Sequence, residues 1–179
     1  MPEDDPSSWT LTRLTDHLAA TDHRALRETA PRAAAYARRI RDVHAAQHPE
    51  LEEVAATCDD LTAALQAHLQ HEEDVFFPAL QRTEQAVRQD TPVAEDDAET
   101  LVSSLAALPS DHRRFLVSVD RLRDLTMDYA LPFDACATYD LAYRALRGLD
   151  ADLRRHLTVE DDTLLPGTRS LVDRLCRPA

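Results

Sequence analysis

The chain contains no lysine and only two glycines, Gly148 and Gly167, so its 20 basic residues are all arginine and tight glycine hairpins have almost no material to form from. Ala, Leu and Arg are abundant instead, and these residues favour helices over strands. An all-α architecture follows. No run approaches the roughly 20 consecutive apolar residues that span a bilayer, and the acidic start Met1-Pro2-Glu3-Asp4-Asp5 lacks the basic-then-apolar pattern of a secretory leader. A cytoplasmic protein without membrane contact is expected. The net charge of -13 repels phosphate backbones, and the arginines are scattered rather than gathered in a patch, which argues against nucleic acid as a partner. Three widely spaced cysteines, Cys58, Cys136 and Cys176, fit neither a disulfide framework nor a CxxC motif, so reduced thiols are expected.

Apolar residues recur at helical spacing over residues 9–46, 49–84, 96–130 and 134–165. Short connections around His48 and Pro132 make each successive pair an antiparallel hairpin, and the acidic, proline-containing stretch 89–97 reads as the crossover between pairs. The prediction is an antiparallel four-helix bundle forming one domain, residues 1–179. Pro31 and Pro109 fall inside helices, where each either kinks its helix or marks a fresh start.

Charged residues interrupt the apolar stripes. The second helix reads Leu61, Leu65, His68, Glu72, Val75 with Phe76, Ala79, and the fourth reads Leu146, Leu149, Leu153, His156, Glu160, Leu164. In the third, His112 stands between Leu108 and Phe115. His23 lies near Ala19, Leu26 and Ala30, although Leu14 and Leu18 suggest a face rotated slightly away from it. An ionised carboxylate buried without a partner costs several kcal/mol, against about 5–15 kcal/mol for the stability of a whole domain. No arginine occupies these stripes, whereas imidazole and carboxylate together form a usual ligand set for iron or manganese. Height along the bundle gives a second test. His23 lies 25 residues before His48, and His68 and Glu72 lie 20 and 24 after it; around Pro132 the offsets are 20 before for His112 and 24 and 28 after for His156 and Glu160. Each hairpin therefore brings its candidates to one level. His44, displaced from His68 by 16 residues or roughly 24 Å along a helix axis, falls outside it. His17, His48 and His71 are assigned to solvated faces or loops, and Glu73, Asp161 and Asp162 to solvent or to hydrogen bonds behind the ligands.

With DHRALRETAP at 22–31, VHAAQHPEL at 43–51, HLQHEEDVFFPAL at 68–80, PFDACATYDLAY at 132–143 and DLRRHLTVEDDTLLP at 152–166, the chain resembles the hemerythrin-like HHE superfamily. More narrowly it is similar to the di-iron proteins of iron–sulfur cluster repair, the RIC family, without their small N-terminal cysteine-bearing domain. The resemblance implies His23, His68, His112 and His156 as terminal ligands and Glu72 and Glu160 as bridges between two non-haem iron ions, with an oxo or hydroxo bridge. It leaves about one open position per iron for NO or O₂. The implied function is repair of damaged iron–sulfur proteins under nitrosative or oxidative stress, by iron donation, NO reduction or both. Two alternatives stay open: an O₂-activating di-iron oxidase on a small molecule, and a non-enzymatic iron or gas sensor. His44 and the Cys136 segment also match positions common in that family, while Asp161 stands where the family usually has Asn, and Phe115 and Leu116 stand where it has small residues.

Overall fold

Seven α-helices and three single π-helical turns account for the regular structure of residues 8–175, the part described by the computed structural model. They are α1 (Leu11–Leu18), α2 (Arg24–His44), α3 (Glu50–His71), α4 (Phe77–Arg88), α5 (Glu95–Leu125), α6 (Ala137–Val159) and α7 (Leu165–Leu175). The π turns, Ala19–His23, Glu72–Phe76 and Glu160–Leu164, join α1 to α2, α3 to α4 and α6 to α7. The chain thus makes four long helical stretches with no strand among the described residues, and the all-α four-helix-bundle class holds.

The ends of the stretches shift from the predicted ones for local reasons. The third stops at Leu125 rather than 130, because Met127, Asp128 and Tyr129 take left-handed φ values of 49°, 56° and 60°. Thr126 Oγ1 accepts the Tyr129 N–H there at 3.1 Å. The fourth runs past Pro166 to Leu175, since a proline near a helix start needs no N–H partner. Helices α2 and α5 continue through Pro31 and Pro109. Cys176 lies outside the described residues.

The described chain divides into two compact units, and each of the four stretches contributes a segment to both. One unit takes residues 24–67 and 113–154. Its interior holds Leu26, Ala30, Ala33, Ala34, Ala37 and Ile40 from α2, Leu51, Val54, Cys58, Leu61 and Leu65 from α3, and Tyr139, Tyr143, Leu146 and Leu149 from α6. The alanine face of α2 allows a close approach, and Thr62 Oγ1 of α3 donates to the Ala30 carbonyl at 3.3 Å. Asp150, buried, accepts from Arg123 Nε at 2.5 Å, Arg154 Nε at 2.7 Å and Tyr129 OH at 3.1 Å.

The other unit takes residues 8–23, 68–112 and 155–175 of the described chain. Helix α1 is capped by Thr10, whose side chain accepts from the Arg13 N–H, and Glu84 of α4 accepts the Leu11 and Thr12 N–H groups at 2.9 Å each. Leu14, Leu18, Phe76, Phe77, Leu80, Leu101, Leu108, Leu164, Leu165 and Leu171 form the core of this unit. All six residues singled out by the interrupted stripes belong to it.

Candidate metal centre

The three π turns fall where three of the charged core residues sit: His23 ends the first, Glu72 begins the second and Glu160 begins the third. In a π turn the backbone bond spans five residues rather than four, as in Phe77 N–H to Glu72 C=O and Leu165 N–H to Glu160 C=O. Positions five apart then share a face. Leu18 and His23 are five apart and both fully buried, which removes the apparent rotation of His23 away from the Leu14–Leu18 face. The same widening turns Val75 outward, 40% exposed, and brings Phe77 inward with Phe76. The expected place of Val75 on the buried stripe is therefore corrected. Pro78 and Pro166 each lie six residues beyond the glutamate, just past the wide turn, where the missing N–H matters least.

His23, Glu72, His156 and Glu160 form one group whose donor atoms all lie within 4.8 Å of one another, and His68, Glu72, His112 and Glu160 form a second. The two groups share both carboxylates. Height along the helices leaves the pairing of the histidines open; in the structure His23 pairs with His156, ring centroids 5.1 Å apart, and His68 with His112, 5.2 Å apart. Glu72 Oε2 lies 3.4 Å from both His23 Nε2 and His68 Nε2, and Glu160 Oε2 lies 3.3 Å from His112 Nε2 and 3.4 Å from His156 Nε2.

These are contacts without hydrogen-bond geometry. The Nε2 atoms of His23, His112 and His156 and all four carboxylate oxygens are buried with no hydrogen-bond partner among the described residues. Groups so placed carry an uncompensated desolvation cost, and buried polar atoms are normally satisfied. A cation among them removes the cost. Mixed imidazole and carboxylate donors suit iron or manganese, so the donor set fits such an ion.

Electrostatics point the same way. Burial, then the neighbouring His156, lowers the His23 pKa, and burial lowers that of His68 to about 4, leaving both rings neutral with a lone pair to give. Burial works against a charged His112, but contacts with Glu160 and Asp161 outweigh it and raise the pKa. Glu72 is raised well above the ordinary carboxyl value, by burial and then by the Glu160 charge. Burial also opposes ionisation of Glu160, but the imidazoles, His156 foremost, hold its pKa at about 2. Without a cation, one carboxyl of the pair keeps its proton beside an ionised partner.

A family model for the hemerythrin HHE cation binding domain matches residues 14–167, a span that includes every one of these donors. The chain belongs to the hemerythrin HHE family. Members of this family are cation-binding helical domains, and the buried histidine–glutamate groups of this HHE chain are where a metal could sit. Among proteins it is similar to is the iron-sulfur cluster repair protein ScdA of Staphylococcus epidermidis, 23% identical over 89% of this chain and 67% of the relative. ScdA of Staphylococcus haemolyticus is 25% identical over 84% and 64%, and the iron-sulfur cluster repair protein YtfE of Salmonella newport is 24% identical over 87% and 65%. The HHE chain spans about two thirds of the length of these relatives. No helix among its described residues is long and apolar enough to cross a membrane.

Other sequence candidates fall elsewhere. His44 and Cys136 lie in the unit of residues 24–67 and 113–154, with His44 Nε2 3.2 Å from Cys136 Sγ. His48, assigned to a solvated face or loop, lies half-buried in the loop between α2 and α3, with Nδ1 2.9 Å from Glu50 and Nε2 3.1 Å from Asp134. His17 and His71 are exposed. Of Glu73, Asp161 and Asp162, assigned to solvent or to hydrogen bonds behind the ligands, Glu73 Oε1 lies 2.8 Å from His23 Nδ1 and Asp161 Oδ1 lies 2.7 Å from His112 Nδ1. The available signal is position: each is the residue directly after the core glutamate.

Proposed function

We propose that His23, His68, Glu72, His112, His156 and Glu160 hold two iron ions, with Glu72 and Glu160 spanning the pair, and that the chain repairs damaged iron–sulfur clusters by donating iron, reducing NO, or both. The observation that carries this reading is the sharing of Glu72 and Glu160 by two buried four-residue groups, with all four carboxylate oxygens lacking a hydrogen-bond partner among the described residues. The names of the similar proteins, iron-sulfur cluster repair proteins, supply the choice of reaction.

Iron held there would supply one-electron chemistry and, with four protein donors against six octahedral positions, room for a small ligand such as NO or O₂. The chain's own residues do the rest. His23 and His68, kept neutral by burial, present their ring nitrogens without first having to lose a proton. Leu108, Phe76, Phe77, Leu164 and Leu165 are buried in the same unit and keep bulk water from the carboxylates, which strengthens their attraction for a cation.

The test uses the full chain, loaded with ferrous iron without air and freed of excess. About two irons per chain are expected. Incubation with an NO-damaged iron–sulfur protein should restore its cluster absorption, and an NO electrode should record consumption if reduction contributes. A chain that binds no iron, or that binds it and neither restores the cluster nor consumes NO, refutes the reading.

One observation favours a second reading, oxidation of a small molecule. A cavity of about 580 Å³, bordered by Pro109, Asp161, Leu165, Pro166, Arg169 and Arg174, adjoins the centre through Asp161. Oxygen uptake that rises on adding a candidate substrate would select it.

A further inference from the structure

The core glutamates each open a short acidic run, Glu72-Glu73-Asp74 and Glu160-Asp161-Asp162. The middle residue of each run reaches Nδ1 of a histidine on the neighbouring helical stretch: Glu73 to His23 at 2.8 Å, Asp161 to His112 at 2.7 Å. Both rings are buried, and the carboxylate side chains reach solvent, 28% and 42% exposed. An Nδ1–H donated to a carboxylate fixes the tautomer in which Nε2 carries the lone pair, and Nε2 is the atom each ring turns toward the shared glutamates.

His68 Nδ1 lies 3.9 Å from Asp111 Oδ2, and His156 Nδ1 is buried with no hydrogen-bond partner among the described residues. The two acids serve different groups: Glu73 holds His23, in the group with His156, and Asp161 holds His112, in the group with His68.

We propose that Glu73 and Asp161 are positioning residues, one for each cation, that hold His23 and His112 with Nε2 turned toward the centre. The two successive acids divide the work: Glu72 and Glu160 face the cations, while Glu73 and Asp161 orient the histidine on the helix alongside. This rests on the metal-binding reading above and adds that each cation depends on a different one of the two acids.

The experiment measures iron retained by the full chain against a competing chelator, with the optical spectrum of the iron-loaded protein and helical circular dichroism. In Glu73→Leu one iron of the pair should bind about 10–100-fold more weakly, and in Asp161→Leu the other. The double variant should lose both. Glu73→Gln and Asp161→Asn, which keep an accepting oxygen at similar reach, should restore most of the affinity, a rescue that a general loss of packing would not give. Asp74→Leu and Asp162→Leu, which change the same net charge one residue further on, should bind as the parent does. Where a leucine variant loses its helical signal, the corresponding alanine variant is read instead. Parent-like retention in both Glu73→Leu and Asp161→Leu overturns the proposal, as does equal weakening in the Asp74 and Asp162 controls. A parent protein that takes up no iron overturns the metal-binding reading itself.

Discussion

Replacing Glu72 by leucine should stabilise the cation-free protein and abolish its stabilisation by iron. Glu72 is fully buried, its oxygens make no hydrogen bond among the described residues, and burial together with the Glu160 charge raises its pKa well above the ordinary value. A raised folded-state pKa means that the group's contribution is fully present below the unfolded pKa and is lost as pH rises through the folded one. The cation-free parent should therefore weaken from mildly acidic pH upward, as Glu72 is forced to ionise beside Glu160. Leucine, of similar volume, removes that cost. Replacing a whole buried ion pair by apolar groups gains about 1–4 kcal/mol, and removing a buried carboxyl that has no hydrogen-bond partner is expected to gain an amount of that order. At about 2–4 °C per kcal/mol for a chain of this size, the melting temperature should rise by roughly 2–16 °C. Iron reverses the order. At 1,000 times the dissociation constant, a ligand that binds only the folded state adds about 4.1 kcal/mol to the parent, whereas the variant has lost a shared ligand. Scanning calorimetry of both proteins, chelated and iron-loaded, at pH 6 and pH 8 reads all four terms. The reasoning fails if chelated Glu72→Leu melts below the chelated parent at pH 8, or if iron stabilises the variant as much as the parent.

Three further expectations concern the other unit. His48 has a raised pKa, through its contact with Glu50 first and Asp134 also, so its contribution to stability is present below about pH 6.5 and lost as pH climbs through the raised value. Denaturant titrations of His48→Gln should lack that part of the pH dependence, and an unchanged profile would refute the role. Asp150→Ala leaves the buried Tyr129 hydroxyl without its acceptor, at a cost of about 1–3 kcal/mol; calorimetry should show a lower melting temperature, and an unchanged one would discount the Asp150 cluster. Burial pushes the Cys58 thiol up to about 12, so thiol labelling with mass spectrometry should find exposed Cys136 modified in the native protein and Cys58 only after unfolding.

The stripes of leucine broken by His and Glu were readable because a charged side chain on an apolar face is conspicuous at helical period. His68–Glu72 and His156–Glu160 are spaced by four residues, which regular helix keeps on one side, and the structure places each pair 3.4 Å apart. His23 was harder to place for a definite reason: it follows Leu18 by five residues, a spacing that regular helix scatters and a π turn gathers. Val75 was placed wrongly by the same turn. The exchange of partners, His23 with His156 and His68 with His112, depends on which sides of the stretches meet, and axial height carries no information about that. Glu73 and Asp161 were read as facing solvent or bonding behind the ligands, and which histidine each one reaches is told only by the contact across to another helix.

The three wide turns also bear on how this chain should be matched to others. Each contains one residue more than an unbroken α-helix would need to cover the same length, so against a relative whose helix is regular there, a correct alignment must open a one-position gap inside a helix, within Ala19–His23, Glu72–Phe76 or Glu160–Leu164. A procedure that forbids gaps in helices would push the mismatch onward and displace every later position by one, pairing Phe77 with the counterpart of Phe76 or Val75 with a core residue.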